Sequence, residues 1–288
     1  MRNIRSDLAL ESMEALREKQ PLRQLDGVDA RDFSCQGYPV TDVRVTDAAG
    51  AAALEKPVGR YITVDLRPYF QRDERFFVRA ASCLAQQLQA LLPAVGSRTP
   101  VLVAGLGNRG MTADAVGPLA LESLLVTRHM VRALPRQFQG FTPVSAVATG
   151  VLAATGMETL ELLRGITGAT QPAVVIAIDA LAARHRDRLC ATVQLGDTGL
   201  IPGSGVGNHR KAIDRETLGI PVIAVGVPTV IAAPLLAEGD MPQEDDPLFL
   251  TPRDIDGKVR ELSRLIGYAI TLALQEGLTV EDITGLLG

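Results

Sequence analysis

Two aspartates, Asp114 and Asp179, each stand beside a short apolar run that reads as a buried strand. The first run is 101–104 (VLVA), closed by Gly105 and Gly107, with Asp114 in the loop before Gly117 and Pro118. The second is 173–178 (AVVIAI), with Asp179 at its C-terminal end. Apolar runs of this kind suit strands covered on both faces. Ligands of open α/β sheets bind at the carboxyl ends of the strands, so the two aspartates are expected to meet at one sheet edge. A desolvated carboxylate resists ionisation there, and a second carboxylate nearby raises one proton affinity further. Such a pair can share a proton, one member activating water while the other protonates or polarises a carbonyl. Taken alone, Asp114 has an ordinary reading, since loop aspartates are commonly solvated or cap helices. Asp179 is more telling, because the ALAA that follows it leaves part of its surroundings dry.

Other motifs compete for attention. GLGNRG at 105–110 matches G-x-G-x-x-G after a strand, the form of a dinucleotide site. The predicted helix starts near Gly117, with glycine as cap and Pro118 at the first helical position, too late for the third glycine to serve helix–strand contact. No acidic residue follows the next strand, 144–148. The glycines are therefore read as letting the chain turn and expose Asn108 and Asp114. Asp197-Thr198-Gly199 is the tripeptide of pepsin-like proteases, but those are β-rich, and here it reads as a turn near the site. The stretch 201–211 (IPGSGVGNHRK) is a glycine-rich loop entering a basic patch, suited to holding a phosphate or an extended peptide backbone through its N–H groups. Candidate substrate-binding residues are thus Asn108, Asp197, Gly203, Ser204, Gly205 and Gly207. Ser204 has no histidine partner fixed by sequence. His129, His185 and His209 lack metal-ligand spacing and read as surface residues. Cys35, Cys83 and Cys190, without a CxxC, read as reduced, mostly buried thiols.

The elements that must position these residues follow from periodicity. A helix is expected over 4–19, capped by Ser6 or Asp7, with Leu8, Met13 and Leu16 near one face and an end free to fray. Residues 20–60 look irregular apart from a strand at 40–45. Strands are expected at 61–66, 101–104, 144–148, 173–178, 191–195 and 222–227. Helices are expected at 74–92, 118–128, 157–165, 254–275 and 280–287. Residues 238–252 form an acidic, proline-containing loop. This alternation predicts a three-layer α/β/α fold with a mainly parallel sheet, divided as an N-terminal segment, 1–20, and one domain, 21–288. The 288 residues are 47% hydrophobic with net charge −4. No basic run suggests a nucleic-acid surface, and no apolar stretch suggests a signal peptide or a membrane helix. A soluble, intracellular protein is expected.

GLGNRGMTADAVGP, VIAIDALAAR, DTGLIPGSGVGNHRK and ETLGIPVIAVGVPTV together resemble, in order and spacing, the germination proteases of spore-forming bacteria. IRSDLALE looks like the segment near that family's self-processing site. The resemblance runs from about residue 4 to residue 236 and less distinctly beyond. It implies an endopeptidase that degrades small acid-soluble spore proteins during germination, made as a self-processing zymogen in the forespore or spore-core cytoplasm and assembled as a homotetramer. It also implies a phosphorylase/hydrolase-like sheet similar to that of hydrogenase maturation proteases. Its two catalytic aspartates fall on Asp114 and Asp179, as an atypical aspartic protease with no cofactor and no required metal. Few residues precede Arg5, so a short propeptide is expected, with self-processing removing little or cutting inside the segment. Arg109-Gly110 departs from the family pattern, and 238–252 reads as a lineage-specific insertion. Two rivals stay open: a metal-sensing protease of the hydrogenase-maturation type, and a non-catalytic module using the glycine-rich loops as a cradle.

Overall fold

The computed structural model describes residues 6–19, 25–71, 75–204, 210–232 and 249–288. Its centre is four parallel strands built largely of small and apolar residues. These are β4 (Val101–Leu106), β5 (Val144–Gly150), β6 (Val174–Ala183) and β8 (Val222–Ala232). An antiparallel flank adds β1 (Val28–Cys35), β2 (Tyr38–Val45), β3 (Gly59–Asp65) and β7 (Thr192–Gly196), and β9 (Phe249–Leu250) pairs with β8. The order across the sheet is β1-β2-β3-β7-β8-β6-β4-β5.

Alternation along the central strands builds two cores, one on each face. Val101 and Val103 of β4 and Val174, Ile176 and Ile178 of β6 face one core. It is covered by α3 (Phe76–Gln89), α4 (Val116–Leu121), α9 (Ile255–Leu274) and α10 (Val280–Leu287). Leu102, Ala104, Leu106, Val175 and Ala177 face the other, under α7 (Thr159–Thr170) and α8 (Arg215–Leu218). On that second side α1 (Ala9–Lys19) and α2 (Ala48–Leu54) close a third cluster over β2 and Tyr61. The result is the expected three-layer α/β/α arrangement, with a parallel centre in a mixed sheet. Among the described residues no helix is long and apolar enough to cross a membrane. All three cysteines are buried and unpaired.

Several boundaries differ from the sequence expectation for identifiable reasons. β6 and β8 both run past their apolar cores and stay paired from Asp179↔Gly226 to Ala183↔Ile231, so Asp179 lies inside a strand rather than at its end. The helix expected over 118–128 stops at Leu121, and a separate short helix, α5 (Arg128–Ala133), begins where it was expected to end. α4 starts at Val116 with Ala115 as its cap. Pro118 still falls in the first turn, where no N–H is needed. Gly117 instead permits contact: a Cβ there would sit 2.3 Å from the Leu106 carbonyl oxygen and 2.6 Å from that of Ile178. A short helix, α6 (Leu152–Thr155), precedes α7. Within 20–60, read as irregular, β1 and β2 form a hairpin through Gln36 and Gly37, both at positive φ (54° and 85°). α2 there is capped by Asp47, which accepts from the Gly50 N–H. Neither Ser6 nor Asp7 caps α1. Ser6 Oγ accepts from the Leu8 N–H, and the Asp7 carboxylate is used elsewhere. Most of the acidic stretch 238–252 lies outside the described residues.

Candidate active site

β4 lies between β5 and β6, and its connection leads to β5 while that of β6 leads away towards β7 and β8. Such a switch point opens a crevice at the carboxyl ends of the two strands. Asp114 comes to it from the turn after β4, and Asp179 from β6.

The Asp114 turn is built from backbone. Gly107 has φ +105°, and a Cβ on it would stand 2.1 Å from the Asp114 carbonyl oxygen and 2.9 Å from Asp114 Oδ1. That close approach lets the Asn108 N–H donate to Asp114 Oδ2 at 2.8 Å. Asn108 Oδ1 accepts from the Gly110 N–H at 2.9 Å. Asp114 ends a 3-10 turn, Thr112–Asp114. Thr229, fully buried on β8, donates its hydroxyl to the Ala113 carbonyl at 2.6 Å. Thr112 ties the outer side of the turn to Asp256 at 2.7 Å.

Asp179 is buried, at 6% exposure. Its Oδ1 accepts from the Ala180 N–H at 2.9 Å. Burial is the first cause that holds its carboxyl well above the usual carboxylate range, and the nearby charge of Asp114 is the second. Asp114, half-buried, is also raised by burial, with the Asn108 N–H and the Arg210 guanidinium pulling the other way. Arg210 opposes the rise at Asp179 as well. One cation facing two carboxylates that both resist ionisation favours a pair carrying a single negative charge.

The other sequence candidates are spread more widely. Asn108 supports Asp114 through its N–H. Asp197 is exposed and away from the pair. β7 runs antiparallel, with Gln194 level with Gly226 and Gly196 level with Ala224, so Asp197 lies towards the opposite sheet edge. There its Oδ1 accepts from the Arg60 N–H at 2.7 Å. Gly203 takes a positive φ of 71°, and Ser204 Oγ donates to Asp7 Oδ1 at 2.7 Å. Gly205 and Gly207 lie outside the described residues. His129 and His185 are exposed, and His209 lies outside the described residues. Arg109 forms an ion pair with the Glu122 carboxylate. Among the described residues no three His, Cys, Asp or Glu side chains converge as a metal site would require.

Sequence reasoning did not single out Arg210, whose charge reaches both aspartates, Thr229, which holds the Ala113 carbonyl, or Asp7, which bonds to Ala182. Arg210 was visible only within a basic patch, Thr229 sat beyond the predicted end of its strand, and Asp7 had been read as a helix cap. Two clefts open near the aspartates, and neither Asp114 nor Asp179 lines either of them. One, beside β4 and β5, is lined by Gly107, Asn108 and Val151. The other, beside β8, is lined by Asp7, Gln194 and Ser204.

Residues 5–241 match the germination protease family. The chain is 37% identical to a germination protease of Clostridium perfringens over the whole of both chains. It is 38% identical to one of Caldanaerobacter subterraneus, covering 99% of this chain and 98% of the relative. Against one of Bacillus cereus it is 43% identical over 80% of this chain and 64% of the relative. These matches cover the turn bearing Asp114 and the strand bearing Asp179, and the chain belongs to the germination protease family of peptidases.

Proposed function

We propose that the protein is an endopeptidase of spore germination that opens the degradation of small acid-soluble spore proteins, using Asp114 and Asp179 as its catalytic pair. The observation that carries this reading is the placement of Asp114 and Asp179 at the crevice at the carboxyl ends of β4 and β6, near enough that the charge of Asp114 raises the proton affinity of Asp179. Asp179, the more buried, holds the shared proton. Asp114, held by the Asn108 N–H, is the ionised member. A water between them loses a proton to Asp114 as its oxygen attacks the scissile carbonyl carbon, and Asp179 gives its proton to the carbonyl oxygen. The tetrahedral intermediate collapses as Asp114 gives its proton to the leaving nitrogen, the C–N bond breaks, and a hydroxyl of the intermediate returns its proton to Asp179. Product release leaves the pair again with one proton.

The two clefts suit an extended, unfolded substrate, with Gly203 and Ser204 on one side of the scissile bond and the Asn108 turn on the other. Family membership supports synthesis as a zymogen and assembly as a homotetramer. The test is cleavage of a purified small acid-soluble spore protein by wild type, Asp114→Asn and Asp179→Asn, with and without chelator. Each substitution is expected to lower kcat by at least about 10³-fold, as loss of a general acid or base does, with wild type indifferent to chelator. Near-normal turnover by either variant would remove the aspartate pair, and chelator-sensitive turnover would favour a metal-dependent hydrolase.

A further inference from the structure

The two outer edges of the sheet are built differently. β1, at one end, carries Asp29, Arg31 and Asp32, and charge on an edge strand deters further pairing. β5, at the other end, reads VSAVATG, without a charge or a proline. The Val101 N–H of β4 donates to the Pro143 carbonyl at 2.9 Å. The N–H and C=O of one strand residue point to the same side, and the side alternates along the strand. Residues 145 and 147 therefore bond to β4, while 144, 146 and 148 face outward. Val144 is closed by Thr127, whose N–H donates to the Val144 carbonyl at 3.1 Å and whose Oγ1 accepts from the Val144 N–H at 2.9 Å. Among the described residues nothing meets the outward N–H and C=O of Ala146 and Ala148. A cleft lies beside each half of this edge. Arg128, Arg132 and Ala146 line the first, and no carboxylate among the described residues pairs with either arginine. The second is the cleft of the Asn108 turn, lined also by Pro118, Leu121, Ala148 and Val151, and its Arg109 is already paired with Glu122.

We propose that the free edge of β5 is a seat for the protein substrate. An unfolded segment adds to it as a further strand, bonding to the backbone of Ala146 and Ala148. It sets an acidic side chain beside Arg128 and Arg132 and an apolar one against Leu121 and Val151. This rests on the reading of Asp114 and Asp179 as a protease pair and deepens it. Side chains two apart on a strand share one face at a spacing of about 7 Å. Ala146 and Ala148 have that spacing and stand one in each cleft, so alternate substrate residues meet a cationic and an apolar surface in turn. The carboxyl end of β5 delivers the segment to the Asp114 turn, since Gly150 is level with Leu106, the residue before Gly107. The edge is three strand spacings from β6, about 14 Å, a span that about four extended residues cover. The residues that the seat reads are therefore remote from the scissile bond.

The test uses Ala148→Pro. Proline is accepted on an edge strand where the N–H faces out, so the change costs no bond to β4 and removes a donor from the edge. KM is measured for a purified small acid-soluble spore protein and for a short peptide covering only the scissile bond and its neighbours. Ala148→Pro is expected to raise KM for the protein about tenfold relative to KM for the peptide. Arg128→Glu combined with Arg132→Glu should raise the same ratio at low ionic strength, with the effect shrinking as salt is added. An unchanged ratio in a folded Ala148→Pro protein would overturn the proposal. A change of its oligomeric state, read by sedimentation, would overturn it too, because a second copy of the chain would then be what covers the edge. If Ala148→Pro does not fold, the double arginine variant decides, and a wild-type ratio at low salt overturns the seat. Failure of the underlying reading shows separately, as an active Asp114→Asn or Asp179→Asn protein.

Discussion

Asp179 owes its raised proton affinity first to burial, and burial has a consequence for stability as well as for catalysis. In the unfolded chain its carboxyl returns to an ordinary aspartate value of about 3.9. The folded value is higher, so the folded state binds the proton more tightly. Folding is then unpenalised below the unfolded value, and the penalty grows as pH rises from there to the folded value. Asp179→Asn escapes the penalty and keeps an acceptor for the Ala180 N–H. It is expected to raise the urea midpoint over wild type at neutral pH, with the gain shrinking as pH falls towards 4. A difference constant across that range would contradict the assignment. Gly107 is the other residue on which the site depends. Its positive φ and its contact with the Asp114 carbonyl leave no room for a methyl group. Gly107→Ala is expected to cost roughly 1–3 kcal/mol and to lower cleavage by about 10²-fold through misplacement of Asp114. Gly110→Ala is the control, because its Cβ would meet only the Asn108 side chain, at 3.3 Å. Near-wild-type behaviour there would separate this turn from a dinucleotide loop, in which the third glycine is needed.

At the scale of elements, the site is a 3-10 turn wedged against strand ends. Thr229 holds that turn from β8 through a short hydrogen bond to the Ala113 carbonyl. Thr229→Val keeps the branched shape but removes the hydroxyl and leaves a buried carbonyl without that donor. A stability loss of about 1–2 kcal/mol is expected, with kcat falling about tenfold at nearly unchanged KM, as measured by steady-state cleavage. A wild-type kcat would show that the turn keeps its place without this bond. The central strands were legible because 101–104 and 173–178 are apolar without interruption, as strands covered on both faces must be. The continuation of β6 and β8 was not, since Leu181, Pro228 and Thr229 carry no period that separates strand from loop. β1 was hidden for a different reason: VDARDFSC is largely exposed and forms against β2 alone, and only the Gln36-Gly37 turn hinted at a hairpin. The pairing of Asp114 with Asp179 could be anticipated from topology. The approach of Asp7 could not, because no local pattern links residues 175 apart.

At the scale of the whole molecule, the N-terminal segment is stitched to the far end of β6 by side chains on backbone. Glu11 has no exposed surface. Its Oε2 accepts from the Arg184 N–H at 2.6 Å and its Oε1 from the His185 N–H at 3.0 Å, and Ser6 Oγ donates to it as well. One turn further on, Glu14 pairs with Arg188 at 2.9 Å. A buried carboxylate that accepts from two N–H groups is expensive to remove, because both donors then lose their partner. Glu11→Ala is expected to destabilise the protein by roughly 2–4 kcal/mol, read from urea unfolding. Amide exchange should quicken selectively at Arg184 and His185. Glu11→Gln keeps one acceptor oxygen and should lie between the two. A Glu11→Ala protein within about 0.5 kcal/mol of wild type, the range of surface changes, with unaltered exchange at those two amides, would mean that residues 6–11 rest on the domain without holding it. The segment would then be free to leave without disturbing β6.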